Sequence, residues 1–273
     1  HPRGCDPLEE LKAQGKAPTP LDALKDLGRA FRLWYERIVL SFVFSSAWWA
    51  LGFIAAQLVL LVATPLMLIP ASLILSAASL SAMSMANGAV HLEDFDIRAF
   101  FRPFMARLPR FAGLFAVAVV ALLLYTPVML YLPTLGTALG YIAFGVASWV
   151  GLFTFTSAVL AAGIIVERDE RLFKALYKGF LLMMDNPAYS ITAGVLLLAF
   201  GLMGYILPIL SLTWSSWAYL VMVLFGIFVY GSANAYFVCF ATRRLLSRYG
   251  LHRKSGREAM QEELLAAGSA QRR

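Results

Sequence analysis

The sequence predicts an all-α polytopic membrane protein with six transmembrane helices arranged as three hairpins. Its 273 residues are 60% hydrophobic and only 14% charged, whereas soluble domains have ~25% charged residues. The mean hydropathy is +0.72. Every charged residue falls in one of four blocks, and three uncharged runs of 55, 56 and 57 residues separate them. The blocks are 1–37, 93–110, 167–185 and 243–273.

Each uncharged run has room for two membrane spans. One helix of that length would extend ~80 Å, far beyond a hydrocarbon core of ~30 Å. Pro, Gly and Ser residues interrupt the runs near their midpoints, in "TPLMLIP", "LPTLGT" and "PILSLTWSS", and such residues favour turns. The predicted spans are 39–63, 71–90, 110–132, 139–163, 188–208 and 217–240.

The charged blocks predict the orientation. An even number of spans places both termini and both charged loops on one side of the membrane. Lys and Arg close to span ends mark the cytoplasmic side, and the three turns on the far side carry no charge. The sequence therefore predicts that the N- and C-termini are both cytoplasmic.

An amphipathic helix on the cytoplasmic surface is predicted before the first, third and fifth spans. Each of these segments contains Arg-x-Phe, beginning at Arg29, Arg98 and Arg171, and a helical wheel separates apolar from charged residues in the first and the third. It places Asp26 on the charged side of the first segment, opposite Leu24. In the third, the apolar side consists of Leu172, Phe173, Leu176, Phe180 and Met183. The second contains Pro103 and Pro109, which predicts a short or bent helix. The hairpin units are about 21–92, 93–168 and 169–245, between a flexible lead at 1–20 and a basic tail at 246–273.

The stretch "DIRAFFRPFMARLPRF" at 96–111 interleaves four arginines with phenylalanines. This pattern is typical both of nucleic-acid grooves and of helices that lie on a membrane. Because the stretch lies beside a predicted span, we expect it to lie on the membrane surface and not to bind nucleic acid. We expect its cations and those of the related segments to contact anionic lipid headgroups, acidic residues of neighbouring loops or another membrane protein. The candidates are Arg29, Arg32, Arg98, Arg102, Arg107, Arg171, Lys174 and Lys178.

The second span, "ASLILSAASLSAMSMANGAVH", is rich in small polar residues. Its candidate polar crevice consists of Ser72, Ser76, Ser79, Asn87 and His91. Small residues let helices approach closely, and packing alone explains such a stripe. The functional alternative is a crevice for an uncharged solute, to which Gln57 and Asn234 could contribute.

The sequence contains no recognisable catalytic, cofactor or metal site. The predicted spans have no Asp, Glu, Lys or Arg at mid-depth, and no HExxH motif or glycine-rich phosphate loop is present. We interpret the carboxylates Glu93, Asp94 and Asp96 as helix caps and partners of nearby arginines. The chain is predicted to be non-enzymatic.

The segments "HLEDFDIRAFFRPFMARLPRFAG" and "ERDERLFKALYKGFLLMMDNPAYSITAGVLLL", with the order of spans around them, resemble the YesL-like bacterial integral membrane proteins over about 30–245. The resemblance implies a bacterial plasma-membrane protein of a family without established biochemical activity. Members of that family are often encoded beside carbohydrate-uptake systems. The chain departs from it in its longer lead at 1–28 and its basic tail.

Three hypotheses about function follow from the sequence. The favoured one is an accessory or scaffold subunit of a membrane assembly, with a link to carbohydrate uptake through the resemblance. The second is a passive permease or channel for an uncharged solute or lipid. A membrane enzyme is a distant third.

Overall fold

The structure is a computed structural model that describes residues 17–62, 67–91, 97–211 and 216–250. All regular elements within these ranges are helical. They are α1 (Pro20–Glu36), α2 (Ile38–Val62), α3 (Leu68–Val90), α4 (Ile97–Tyr131), a 3₁₀ turn (Leu132–Leu135), α5 (Ala138–Arg168), α6 (Leu172–Asp185), α7 (Pro187–Ser211), α8 (Ser216–Phe225), a π segment (Gly226–Tyr230) and α9 (Gly231–Arg248).

Four helices in the described ranges, α2 to α5, are long and apolar enough to cross a membrane. Helices α6 and α7 pass the same test only as a pair, and they meet at an angle of 113°. Counting that pair as one span gives five. The apolar helices indicate a membrane-embedded protein, and six spans in three hairpins stay a prediction.

The bounds of α2 and α3 lie within three residues of the predicted spans. Of the predicted turns, the middle one is fully described. The 3₁₀ turn is followed by Gly136, whose φ of 60° favours glycine, and by Thr137, whose hydroxyl accepts the Gly140 N–H at 3.1 Å and caps α5. Residues 63–66 and 212–215 of the other two turns lie outside the described residues.

The helix predicted to be short or bent before the third span is not a separate element. Helix α4 runs through 35 residues without a break, and Pro103 and Pro109 lie inside it. Of the two predicted alternatives, a short helix is therefore wrong, and a bent one stays a prediction. A proline removes its own backbone donor and distorts the helix locally, but here the hydrogen bonds on either side continue the helix into the apolar segment.

The last predicted span contains an irregularity that the sequence did not predict. Between α8 and α9 the backbone takes a π-helical turn over Gly226–Tyr230. Directly after it, the Gly231 N–H donates to the Ser45 hydroxyl of α2 at 3.1 Å. Single π turns of this kind occur frequently at functional sites.

Small residues position the central helix α5 against its neighbours. A Cβ added at Gly163 would lie 2.1 Å from the Thr242 hydroxyl of α9, and one at Gly179 of α6 would lie 2.6 Å from the Ser157 carbonyl oxygen of α5. The buried core gathers around this part of α5, together with the second halves of α3 and α9. These ends, with α1, α6 and the starts of α2, α4 and α7, form what we call the charged end of the bundle.

Candidate functional site

The most buried carboxylate of the charged end is Asp26 of α1, which is 1% exposed. Its two oxygens accept hydrogen bonds from Nε and Nη2 of Arg244 in α9, the latter at 2.7 Å. The Tyr189 hydroxyl of α7 also donates to Asp26, at 2.7 Å, and Arg29 lies 3.4 Å away. This group, the Asp26 cluster, joins α1, α7 and α9.

The position of Asp26 corrects the helical wheel drawn from the sequence. That wheel placed Asp26 on an outward polar face of α1, opposite Leu24. In the structure Ala23, Asp26, Ala30 and Leu33 face the bundle, and Leu24 is 50% exposed. The small alanines let α1 approach the bundle closely, so the buried carboxylate of Asp26 reaches Arg244 of α9. A hydropathy pattern cannot indicate such a contact.

Charge and burial act against each other at Arg244. Burial lowers the pKa of its guanidinium, but the hydrogen bonds and the charge of Asp26 outweigh that effect and raise the pKa above its usual value. A buried ion pair with several hydrogen bonds holds its helices in one arrangement, because removal of either partner leaves a buried charge.

A second buried polar group, the His91 cluster, joins the ends of α3, α5 and α9. His91 Nε2 lies 2.8 Å from Glu167 Oε2, and both side chains are almost fully buried. Arg243 is also buried and donates from Nη1 to the Val90 carbonyl oxygen at 3.0 Å. Of these residues, only His91 was predicted as a candidate. Glu167 and Arg243 were not, because both belong to charged blocks whose side chains are expected to be solvated.

A third group of charges joins the start of α4 to the corner between α5 and α6. Asp169 has a positive φ of 55°, and its carboxylate pairs with Arg107 at 3.2 Å and with Arg110 at 2.7 Å. Arg110 also donates to the Asp169 carbonyl oxygen at 2.7 Å. Arg107 thus meets an acidic loop residue, one of the three alternatives predicted for it.

The neighbouring Glu170 holds two of the other predicted cations. Lys178 donates to Glu170 at 2.5 Å, and Lys174 lies 3.3 Å from it. The hydrogen bond from Lys178 is the largest cause that lowers the pKa of the Glu170 carboxyl below its usual value, and Lys174 adds to it against the opposing effect of burial.

The remaining predicted cations differ in their surroundings. Arg32 pairs with Glu36 at 2.9 Å on the exposed side of α1. Arg102 and Arg171 are exposed, and within the described ranges neither forms an ion pair with a described acid. The side chain of Arg98 lies outside the described residues.

The polar residues of the stripe predicted on the second span have different partners. Ser72 and Ser76 donate to carbonyl oxygens of their own helix, at Ile69 and Leu73, both at 2.8 Å. Ser79 instead accepts the indole N–H of Trp48 at 3.2 Å. Asn87 is buried. The back-bonded hydroxyls agree with the packing alternative for this stripe.

One cavity of about 340 Å³ lies between α3, α4, α5 and the junction of the π segment with α9. Ser79 and Asn234 line it together with mostly apolar side chains, whereas Ser72, Ser76, Asn87 and His91 do not. The cavity was not predicted from the sequence. The one pattern related to it is the mixture of small and aromatic residues on the helices that line it, such as Phe115 and Ala118 of α4.

Helix α6 presents bulky apolar side chains outward at the charged end. Its packed side consists of Ala175, Gly179, Leu182 and Met183. The exposed side chains are Phe173, Tyr177, Phe180, Leu181 and Met184. The helical wheel predicts one apolar side that also contains Leu172, Leu176 and Met183. In the structure these three side chains pack toward the bundle instead.

No group of three or more His, Cys, Asp or Glu side chains within the described ranges could hold a metal ion. Comparisons of the chain with protein-family models, curated proteins and solved structures gave no match.

Proposed function

We propose that the chain is a non-enzymatic protein of the bacterial plasma membrane that serves as an accessory or scaffold subunit of a membrane assembly. In this proposal the six predicted spans form three hairpins, and α7 and the α8–π–α9 unit are the fifth and sixth. The charged end and both termini lie in the cytoplasm. Membership of the YesL-like family, and with it a link to carbohydrate uptake, belongs to the same proposal.

The observation that carries the proposal is how the charged end uses its ionisable side chains. Asp26 and Glu167 are buried in contacts between helices, and Asp169 and Glu170 hold cations of neighbouring elements. Groups committed to such contacts stabilise one arrangement of helices. None of these four carboxylates lines the described interhelical cavity.

The exposed side of α6 supports a docking role. Phe173 is 81% exposed and Tyr177 is 63% exposed. Two exposed cations lie beside them, Arg171 directly before this short helix and Lys174 within it. The 113° angle between α6 and α7 suits a helix that lies on the membrane before a span. Aromatic residues beside cations suit both headgroups and protein partners.

The orientation can be tested with single cysteines. The only native cysteine in the described ranges, Cys239, is buried, and Cys5, which precedes these ranges, is replaced by serine in both variants. Thr134→Cys lies in the exposed 3₁₀ turn, and Lys174→Cys lies at the charged end, where the lysine side chain is 62% exposed. We expect a membrane-impermeant thiol reagent to label the first variant in intact cells and the second only after lysis. The reverse pattern would contradict the proposed topology.

The docking role can be tested with a photoreactive amino acid at two exposed positions. Residue 173 lies on α6, and residue 120 lies on the outer side of α4, where Val120 is 56% exposed. We expect irradiation of native membranes to give a discrete protein adduct of one mass at position 173 and only lipid adducts at position 120. Lipid adducts alone at both positions would argue against a scaffold subunit.

The permease alternative stays a prediction. A path for a polar solute requires convergent polar groups, and the described cavity meets only Ser79 of the predicted crevice. The lining favours apolar molecules instead.

A further inference from the structure

The interhelical cavity has the size of a ligand site. Its volume of about 340 Å³ falls within the ~300–1,000 Å³ typical of small-molecule pockets. It lies among five helices and the π segment, and its lining includes Trp48 of α2, Ala82 and Met83 of α3, Leu114 of α4, Val159 of α5 and Ala235 of α9. The small residues on α3 and α9 leave the space that larger side chains would fill.

The lining is mostly apolar, with the amide of Asn234 as a polar group on α9, and a polar contact between two other lining residues is made internally. Trp48 and Ser79 both border the space, but the indole N–H of Trp48 is donated to the Ser79 hydroxyl at 3.2 Å. A water molecule needs two to four polar partners to occupy an internal space favourably. The cavity is therefore better suited to hydrocarbon than to water.

The cavity is closed on the side of the charged end. It is open at the outer surface, about halfway along α4 and α5. At the closed side Phe111 is fully buried and Leu114 is 5% exposed. At the other side the lining residues Ala118 and Phe155 are exposed. This mouth continues directly into the outer surface of α4, where Val117 and Val120 are also exposed.

That surface belongs to a helix apolar enough to span a membrane, so the medium at the mouth is the hydrocarbon of the bilayer. We propose that the cavity binds one acyl chain of a membrane phospholipid, inserted from the bilayer between α4 and α5. The occupant is a hydrocarbon chain because the mouth opens at the apolar outer surface of α4, away from the charged end where headgroups lie. The proposal requires the chain to be membrane-embedded but does not depend on a scaffold role.

The test uses the full chain in phosphatidylcholine nanodiscs that contain a small fraction of phosphatidylcholine with a diazirine in the middle of one acyl chain. After irradiation, the adducts are mapped by mass spectrometry. We expect adducts at Leu114 and Val159 to exceed those at the exposed Val117 and Val150. The expected excess is at least about fivefold, which corresponds to ~1 kcal/mol of preferential binding.

A matched pair of substitutions on α5 separates the cavity from the general lipid surface. Val159→Phe adds a ring inside the cavity, whereas Val150→Phe adds the same ring where the valine is 56% exposed. We expect the first variant to lose the excess of cavity adducts and the second to keep it. Equal adduct densities inside and outside the cavity, or an excess that survives Val159→Phe, would overturn the proposal.

A third variant keeps the test decisive if Val159→Phe fails to fold. Ala118→Trp places a bulky side chain at the exposed mouth, where it need not disturb the buried packing. We expect the same loss of adducts at Leu114. Undiminished labelling at Leu114 in a folded Ala118→Trp protein would contradict entry through this mouth.

Discussion

Helices α4 and α5 are about equally apolar, yet they lie in different surroundings. Only 6% of the apolar window of α4 is buried inside the structure, against 50% for α5. Along α5 itself, Trp149 and Val150 are exposed, whereas Ile164 and Ile165 are fully buried near the charged end. Hydropathy identifies a span, but it does not distinguish a side that meets lipid from a side that meets protein.

The difference lies in small residues and in charges at the ends of helices. Close to the charged end, Gly163 and Ala161 allow the neighbouring helices to approach α5, and Glu167 follows one turn later. In the outer half of α4 and α5, an interhelical polar contact is made by the Tyr125 hydroxyl, which donates to the Ala147 carbonyl oxygen. The charged end is therefore where the arrangement of helices is specified.

The largest expected effect comes from the Asp26 cluster. Asp26→Ala leaves the guanidinium of Arg244 largely buried, with Asp22 at 3.8 Å as its remaining carboxylate, and loss of one partner of a buried pair costs ~3–5 kcal/mol. We expect a large fall in the thermal midpoint of the detergent-solubilised protein. Glu36→Ala is the control, because its pair with Arg32 is exposed and such pairs contribute ~0–1 kcal/mol. Similar midpoints for the two variants would mean that the charged end does not hold the helices together.

The next effect tests the close approach of α6 to α5. Gly179→Ala puts a methyl group 2.6 Å from the Ser157 carbonyl oxygen, and overpacking of this kind costs ~1–3 kcal/mol. In contrast, a Cβ at Gly28 of α1 meets nothing within 4 Å, so Gly28→Ala should stabilise the helix by ~0.5–1 kcal/mol. The two variants should shift the unfolding midpoint in opposite directions. A shift of Gly179→Ala to higher stability would show that α6 does not pack as described.

A smaller effect is expected from Glu170 on acidification. Because its pKa is lowered in the folded protein, its contribution to stability is complete above the ordinary value of 4.5 and is lost as the pH falls through the folded value. Glu170→Gln should therefore flatten the decline in unfolding free energy below that pH. The exposed Glu36→Gln should follow the parent protein. Parallel curves for all three proteins would indicate that Lys178 does not hold Glu170 in solution.

Sequence reasoning predicted the elements better than their contacts. The spans at 39–63 and 71–90 correspond to α2 and α3, because uncharged runs and prolines report the limits of a helix directly. Asp26 and Glu167 were not predicted as interhelical partners, because their partners lie in other blocks of the chain. The continuity of α4 through Pro103 was missed because a proline biases a helix locally without deciding whether the helix ends. The π segment has no distinctive composition.

The smallest effect concerns the arginines at the start of α4. Arg102 is exposed and has no ion pair with a described acid, whereas Arg107 pairs with Asp169. A basic residue near an anionic surface contributes ~1 kcal/mol of membrane attraction. Arg102→Gln should therefore reduce the protection of the start of α4 from hydrogen exchange in anionic nanodiscs, with no change in neutral ones. Arg107→Gln should reduce protection in both, because it breaks a contact inside the protein. An equal loss in both lipids for Arg102→Gln would exclude a lipid-phosphate role for this residue. If the protection of neither variant differs between anionic and neutral nanodiscs, then other cations of the charged end make the contacts with anionic headgroups.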